Sequence, residues 1–198
     1  MILFVCAMQE EAHLILEKSI YHNDLTITGI GKTNAAMKLT EFISTHQVDQ
    51  IINIGFAGGN VLYDIGDVVI IDQARYHDFD LSFFGYDVGE VPGYPAIFKT
   101  DPFLIEQMQS ILKDAKLGTL YTGDQFMTKK LDHPSVFDME GASLYQVAWH
   151  YKIPIVSIKV ISDIIGMDKH YKKYKKFEQE EGAKLLLDIY LKVKEYLK

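Results

Sequence analysis

The stretch MEGASLYQVAWHYKIPIVSIKVISD (139–163) decides the fold class. Its first part, MEGASLYQVAWHYK (139–152), reads as a helix, with acids at its mouth, a Gly-Ala-Ser step and then a mostly apolar run. Its second part, IPIVSIKVISD (153–163), is a long, nearly continuous apolar run, the pattern of a strand buried on both faces. Working outward, ILFVCA (2–7), LTITGI (25–30), VDQIINIGF (48–56), GDVVIID (66–72) and KLGTLYTGD (116–124) read as further strands. QEEAHLILEK (9–18), KTNAAMKLTEFISTH (32–46), PFLIEQMQSILKDA (102–115) and a segment from about 174 to 197 read as helices. In the last of these, Leu186, Ile189, Tyr190, Val193 and Leu197 form one buried stripe. Buried strands separated by helices specify an α/β layered fold. No repeat, low-complexity segment or linker interrupts the pattern, and 198 residues fit a single domain spanning 1–198.

Bulk composition narrows the function. The net charge of −7 argues against a nucleic-acid or anionic-membrane surface. The clustered lysines of DKHYKKYKKFEQEE are followed at once by acids and read as a solvated helix face. One cysteine, Cys6, sits in a strand-like run, so no disulfide framework or Cys-based zinc site forms within the chain, and a reducing compartment fits. The N-terminus MILFVCAMQEEA has no basic leader, and its apolar run is too short to span a membrane. A cytoplasmic protein is expected. Residues 73–100 read as an irregular segment, and the aromatic-rich part, 74–98, is long for a compact domain; such loops serve function or an interface.

Ligands of open α/β sheets lie beyond the carboxyl ends of the strands. Past those ends come Met8 and Glu11, the GFAGG turn (55–59), Phe126 and Met127, and Ser162 with Asp163. Glu11 shares a helix face with Leu14 and Ile15, and a carboxylate among apolar neighbours gains basicity. Asp163 at the end of its strand suits a general acid, and GFAGG offers backbone N–H groups with little obstruction. Asp138 and Glu140 bracket Met139 at the mouth of a helix. Each of these features has a plainer reading: a helix N-terminal acid, a turn-forming Asp, a Gly-rich turn. The residues taken singly leave both readings open.

Taken together and in order, AMQEEAHLI, GIGKTNAA, INIGFAGG, ARYHDFDLSFFGYDVGEVPGYPAIF, GDQF, DMEGAS and IKVISD resemble the bacterial 5′-methylthioadenosine/S-adenosylhomocysteine nucleosidases, from residue 1 to about 163. The resemblance implies the purine nucleoside phosphorylase-like fold, a three-layer αβα domain around a twisted mixed sheet, and a homodimer. It implies hydrolysis of the N-glycosidic bond of an adenine nucleoside, with no cofactor and no metal. Asp163 matches the acid that protonates adenine N7, and Glu11 the carboxylate that activates water. Glu140 matches the residue that holds the ribose hydroxyls, beside Met139. Phe126 matches the ring that stacks on adenine, with Met127 beside it and Ala57, Gly58 and Ser162 nearby; Met8 and Ile30 match the apolar end. Leu81, Phe84, Tyr86 and Pro92 match residues that reach into the neighbouring subunit's site.

The chain departs from the family pattern at Phe56, where a small residue is usual, and at Lys159, where Arg is frequent. The segment between Glu17 and Leu25 is short, so the N-terminal hairpin is expected to be shortened. After Asp163, Tyr171 or Tyr174 is the candidate to close over the base. Rival readings are a phosphorylase, a non-catalytic nucleoside binder, and a P-loop module built on TITGIGKT (26–33), one glycine short of the motif. The single arginine, Arg75, gives little for phosphate to bind. HDFD (77–80) matches no standard metal-ligand set.

Overall fold

The elements follow in the order β1 (Ile2–Cys6), α1 (Gln9–Lys18), β2 (Leu25–Ile27), α2 (Lys32–Thr45), β3 (Gln50–Gly59), β4 (Val68–Tyr76), a 3₁₀ turn (Ser82–Phe84), β5 (Phe98–Lys99), α3 (Pro102–Ile111), β6 (Lys116–Thr122), β7 (Ser135–Asp138), α4 (Gly141–Tyr151), β8 (Ile155–Ile164) and α5 (Ala183–Tyr196). The structure is a computed structural model that describes residues 1–18, 24–60, 62–125, 127, 134–166, 177 and 181–197. No helix among the described residues is long and apolar enough to cross a membrane.

Side chains alternate across each strand, and this divides the core in two. Leu3, Val5, Ile51, Val69, Ile71, Ile155 and Ile161 face α2 and α4, meeting Ala35, Leu39, Leu144 and Ala148. Phe4, Ile52, Ile54, Ile70, Val156, Ile158 and Val160 face the other way, meeting Ala12 and Ile15 of α1, Leu104 and Met108 of α3, and Leu186, Ile189 and Val193 of α5. The result is a mixed sheet between two helix layers.

The sheet closes on itself at one end. β3 runs parallel to β1 on one side and to β8 on the other, with Ile54 opposite Ile158. β8 is antiparallel to β4, β4 parallel to β6, and β6 parallel to β7. β7 then returns antiparallel to the last residues of β3, Gly58 facing Phe137 and Gly59 facing Val136. The closure brings Gly58, Phe137 and Asp163 to one place.

Several boundaries differ from those read in the sequence. β4 runs on to Tyr76 because of a bulge: Ile71 pairs with Gly118 but Gln73 with Thr119, leaving Asp72 as the extra residue that breaks the period. β7 and β5, four and two residues long, are too short to show a period at all. β2 stops at Ile27, and Gly29 and Gly31, at φ 84° and 95°, turn the chain into α2. α3 ends at Ile111 rather than near Ala115. The shortened hairpin falls on residues 19–23, outside the described residues, as do Phe126, Tyr171 and Tyr174.

Candidate active site

Glu11 lies in the first turn of α1 and is 3% exposed. Its Oε2 accepts from the N–H groups of Ala7 and Met8, both at 3.0 Å, which is the backward reach of a helix cap. Its Oε1 accepts from the Phe56 N–H at 2.7 Å, which fixes the same carboxylate to β3. Glu11 therefore both caps a helix and lines a cavity. Gly55 makes room for it, since a Cβ there would stand 2.7 Å from Oε1. Burial pushes the Glu11 carboxyl above the usual glutamate range, against the opposing pull of Lys159 and three N–H donors.

The two acids around Met139 have divided roles. Asp138, at the end of β7, accepts from the Gly141 N–H at 3.1 and 2.9 Å and from the Thr122 hydroxyl at 2.6 Å. It also pairs with the buried Lys159 ammonium at 2.9 Å. Asp138 thus caps α4, which leaves Glu140, formally at the N-cap, to turn away from its own helix. Glu140 accepts instead from the Gly31 N–H at 2.8 Å. Burial, and then the charge of Asp138, push the Glu140 carboxyl up to about 7. Burial alone would lower the Lys159 ammonium, but Asp138, Glu11 and Glu140 outweigh it and the net direction is up. Lys159 is therefore the charged counterweight to three carboxylates.

Asp163 sits in β8 and is 2% exposed. A bulge sets its place: Ala57 pairs with Ile161 but Gly58 with Asp163, so Ser162 is the inserted residue. The Ser162 hydroxyl lies 3.2 Å from the Ala57 carbonyl and 2.9 Å from Asp163 Oδ1, hydrogen-bonding distance from each acceptor. A Cβ on Gly58 would press on Ile165 Cγ1 at 3.2 Å and come into ordinary contact with Asp163 Oδ2 at 3.5 Å.

A cavity of about 340 Å³ joins these groups, a size suited to a small organic ligand. Of the residues singled out from the sequence, Met8, Glu11, Ile30, Ala57, Gly58, Met127, Met139, Glu140, Ser162 and Asp163 line it. Ala7, Phe56, Gln125, Phe137, Asp138 and Ile165 line it as well, without having been singled out as site residues. Two of them carried a signal: Asp138 is the first residue of the DMEGAS motif, and Phe137 directly precedes it. Phe56 contributes its amide to Glu11, while its ring packs edge-on against Phe177 at 5.9 Å, beside Gly182. Leu81, Phe84, Tyr86 and Pro92 stand apart from the cavity of their own chain, and Phe83 and Phe84 are 93% and 71% exposed.

Among the described residues no three His, Cys, Asp or Glu side chains are grouped to hold a metal ion. Asp78 of the HDFD segment is engaged by Lys32 instead. The arrangement can deliver a proton from a buried carboxyl at one wall, take one up at another, and surround a developing positive charge with acids.

Comparison with known proteins places this geometry. The family model described as the phosphorylase superfamily matches residues 1–193. A 5′-methylthioadenosine/S-adenosylhomocysteine nucleosidase of Oceanobacillus iheyensis is 36% identical over 186 residues, covering 85% of this chain and 81% of that protein. The crystal structure of such a nucleosidase from Colwellia psychrerythraea in complex with adenine superposes with a TM-score of 0.88 at 28% identity, covering 100% of this chain and 95% of that one. An S-adenosylhomocysteine nucleosidase of Streptococcus pyogenes, in complex with 5-methylthiotubericidin, gives 0.88 at 25% identity over 100% and 97% of the two chains. With its carboxylates gathered at the closed end of a mixed sheet and relatives of this closeness, the chain belongs to the 5′-methylthioadenosine/S-adenosylhomocysteine nucleosidase family of the phosphorylase superfamily.

Proposed function

We propose that this chain hydrolyses the N-glycosidic bond of 5′-methylthioadenosine and S-adenosylhomocysteine, releasing adenine and the 5-substituted ribose. The observation that carries the reading is the convergence of Glu11, Glu140 and Asp163 on one cavity. Asp163, oriented by Ser162, gives a proton to adenine N7. The C1′–N9 bond breaks with its electron pair passing to the base. Water adds to C1′ of the cationic sugar and its proton passes to Glu11, whose burial makes it a stronger base than a solvated glutamate. Glu140 accepts from the ribose hydroxyls. The acids around Lys159 give the site the negative potential that favours a cationic transition state.

Water rather than phosphate is the nucleophile. Among the described residues no arginine lines the cavity, and Lys159 beneath it is already held by Asp138. The exposed Phe83 and Phe84 support a homodimer in which the 81–92 loop covers the partner subunit's cavity. A groove of about 710 Å³ between α2 and α4, lined by Met37, Val147, Tyr151 and, from the 74–98 segment, Tyr94, supports the same reading. The chain acts as one catalytic unit over residues 1–198 in the cytoplasm.

The test is adenine release from a panel of 5′-substituted adenosines, with and without phosphate, beside Asp163→Asn. Release that ignores phosphate, and a loss of about 10²–10⁴ in the variant at unchanged melting temperature, is the expected result. Phosphate-dependent release or an undiminished variant would overturn it.

A further inference from the structure

The near-P-loop segment GIGKT (29–33) does form an anion cradle, but the anions are the protein's own. Gly31, at φ 95°, donates its N–H to Glu140 Oε1 at 2.8 Å, and the next N–H, of Lys32, goes to Asp124 Oδ1 at 2.9 Å. Both are N-terminal N–H groups of α2, which carry the positive end of the helix dipole. The lysine that a P-loop would extend to a phosphate folds over elsewhere. Its ammonium binds both oxygens of Asp78 at 2.7 and 2.6 Å and lies 3.6 Å from Asp124 Oδ2. The Asp124 N–H in turn donates to Asp78 Oδ2 at 2.8 Å.

Three loops meet at that ammonium: the turn before α2, the loop after β4 that carries Asp78, and the loop after β6 that carries Asp124. The Lys32 and Asp78 side chains are only 23% and 16% exposed, so the pair is shielded from salt better than a surface ion pair. Gly31 has no side chain to hold its own orientation. The peptide that carries its N–H is held at the Ile30 carbonyl by the Asn34 amide at 2.7 Å, and the following peptide by the Lys32 N–H bond to Asp124. Among the described residues no other hydrogen bond reaches the Glu140 carboxylate, so its aim depends on Gly31.

We propose that Lys32 is a positioning residue for sugar recognition: its ion pairs with Asp78 and Asp124 hold the Gly31 N–H against Glu140 and so place that carboxylate for the ribose hydroxyls. The inference rests on the reading of Glu140 given under Proposed function.

The experiment compares Lys32→Met with Lys32→Arg and the wild type. Lys32→Met is expected to raise KM for 5′-methylthioadenosine about 10-fold, the weight of one hydrogen bond to a charged group, with kcat changed far less. Affinity for free adenine, which has no sugar, stays as in the wild type by calorimetry, and Lys32→Arg restores most of the loss. In a Glu140→Gln background the effect of Lys32→Met disappears, because the two act through one contact. If Lys32→Met does not fold, Asp78→Asn breaks the same pair from the other side and carries the same expectations. Equal weakening of adenine and nucleoside, or effects of Lys32→Met and Glu140→Gln that simply multiply, would overturn the inference. A substrate-free readout separates this outcome from a failure of the functional reading. The Gly31 amide proton resonance follows the titration of Glu140 in the wild type and loses that dependence in Lys32→Met; retention of it overturns the positioning role even if the wild type released no adenine.

Discussion

Replacing Glu140 by Gln should make the protein more stable, and only at neutral and alkaline pH. The side chain is 7% exposed and lies beside Asp138 and Glu11, and burial with the Asp138 charge lifts its carboxyl from 4.5 to about 7. Between those two values the unfolded chain has released the proton that the folded chain still holds. The native state then binds more protons, so stability falls as pH rises through this window. At 1.36 kcal/mol per tenfold change, the loss reaches about 3 kcal/mol by pH 8. Glutamine keeps a carbonyl for the Gly31 N–H and carries no charge. The variant and the wild type should unfold at the same urea concentration near pH 4, with the variant ahead by about 3 kcal/mol at pH 8. For a chain of this length that is on the order of 6–12 °C in melting temperature. The variant should bind nucleoside poorly, so stability is gained where function is lost. A gap that stays constant from pH 4 to pH 8, or a less stable variant at pH 8, would refute the reasoning.

Lys159→Met should cost about 3–5 kcal/mol in urea unfolding, because it leaves Asp138 buried without its ion partner; a cost under about 1 kcal/mol would contradict the counterweight role. Lys159→Arg, which keeps the charge, should recover much of that loss. Gly55→Ala places a Cβ 2.7 Å from Glu11 Oε1. It should lower kcat/KM by about 10-fold or more through displacement of that carboxylate, and wild-type kinetics would show that Glu11 can move without consequence. If the proposed homodimer forms, Phe84→Asp should sediment as a monomer where the wild type sediments as a dimer, since it puts charge on an exposed aromatic tip; equal sedimentation coefficients would refute the loop's place in an interface.

The fold was legible where burial imposes long apolar runs. β3 and β8, each ten residues, announce themselves. β7 did not, because four residues that are all buried carry no period, yet it is the strand that closes the sheet around the site. That Glu11 and Asp163 line one cavity follows from the rule that ligands lie beyond strand ends, whereas Glu140, at the mouth of a helix, is assigned to it only through the family resemblance of DMEGAS. Their division of labour did not follow. That Asp138 caps α4 and frees Glu140 depends on Lys159 and Thr122, residues distant in the chain. The bulge at Ser162 that aims Asp163 arises from pairing with β3, and pairing register leaves no local mark in either strand. GIGKT supplied the P-loop rival because a turn that offers N–H groups to anions is equally suited to internal carboxylates.

The most direct measurement is a crystal structure with a non-hydrolysable 5′-methylthio adenine nucleoside analogue. The account predicts N7 of the base within hydrogen-bond distance of Asp163, both ribose hydroxyls on Glu140, and the face of C1′ opposite the base turned toward Glu11. A nucleoside bound outside this cavity, or bound in it with its hydroxyls away from Glu140, would contradict the account.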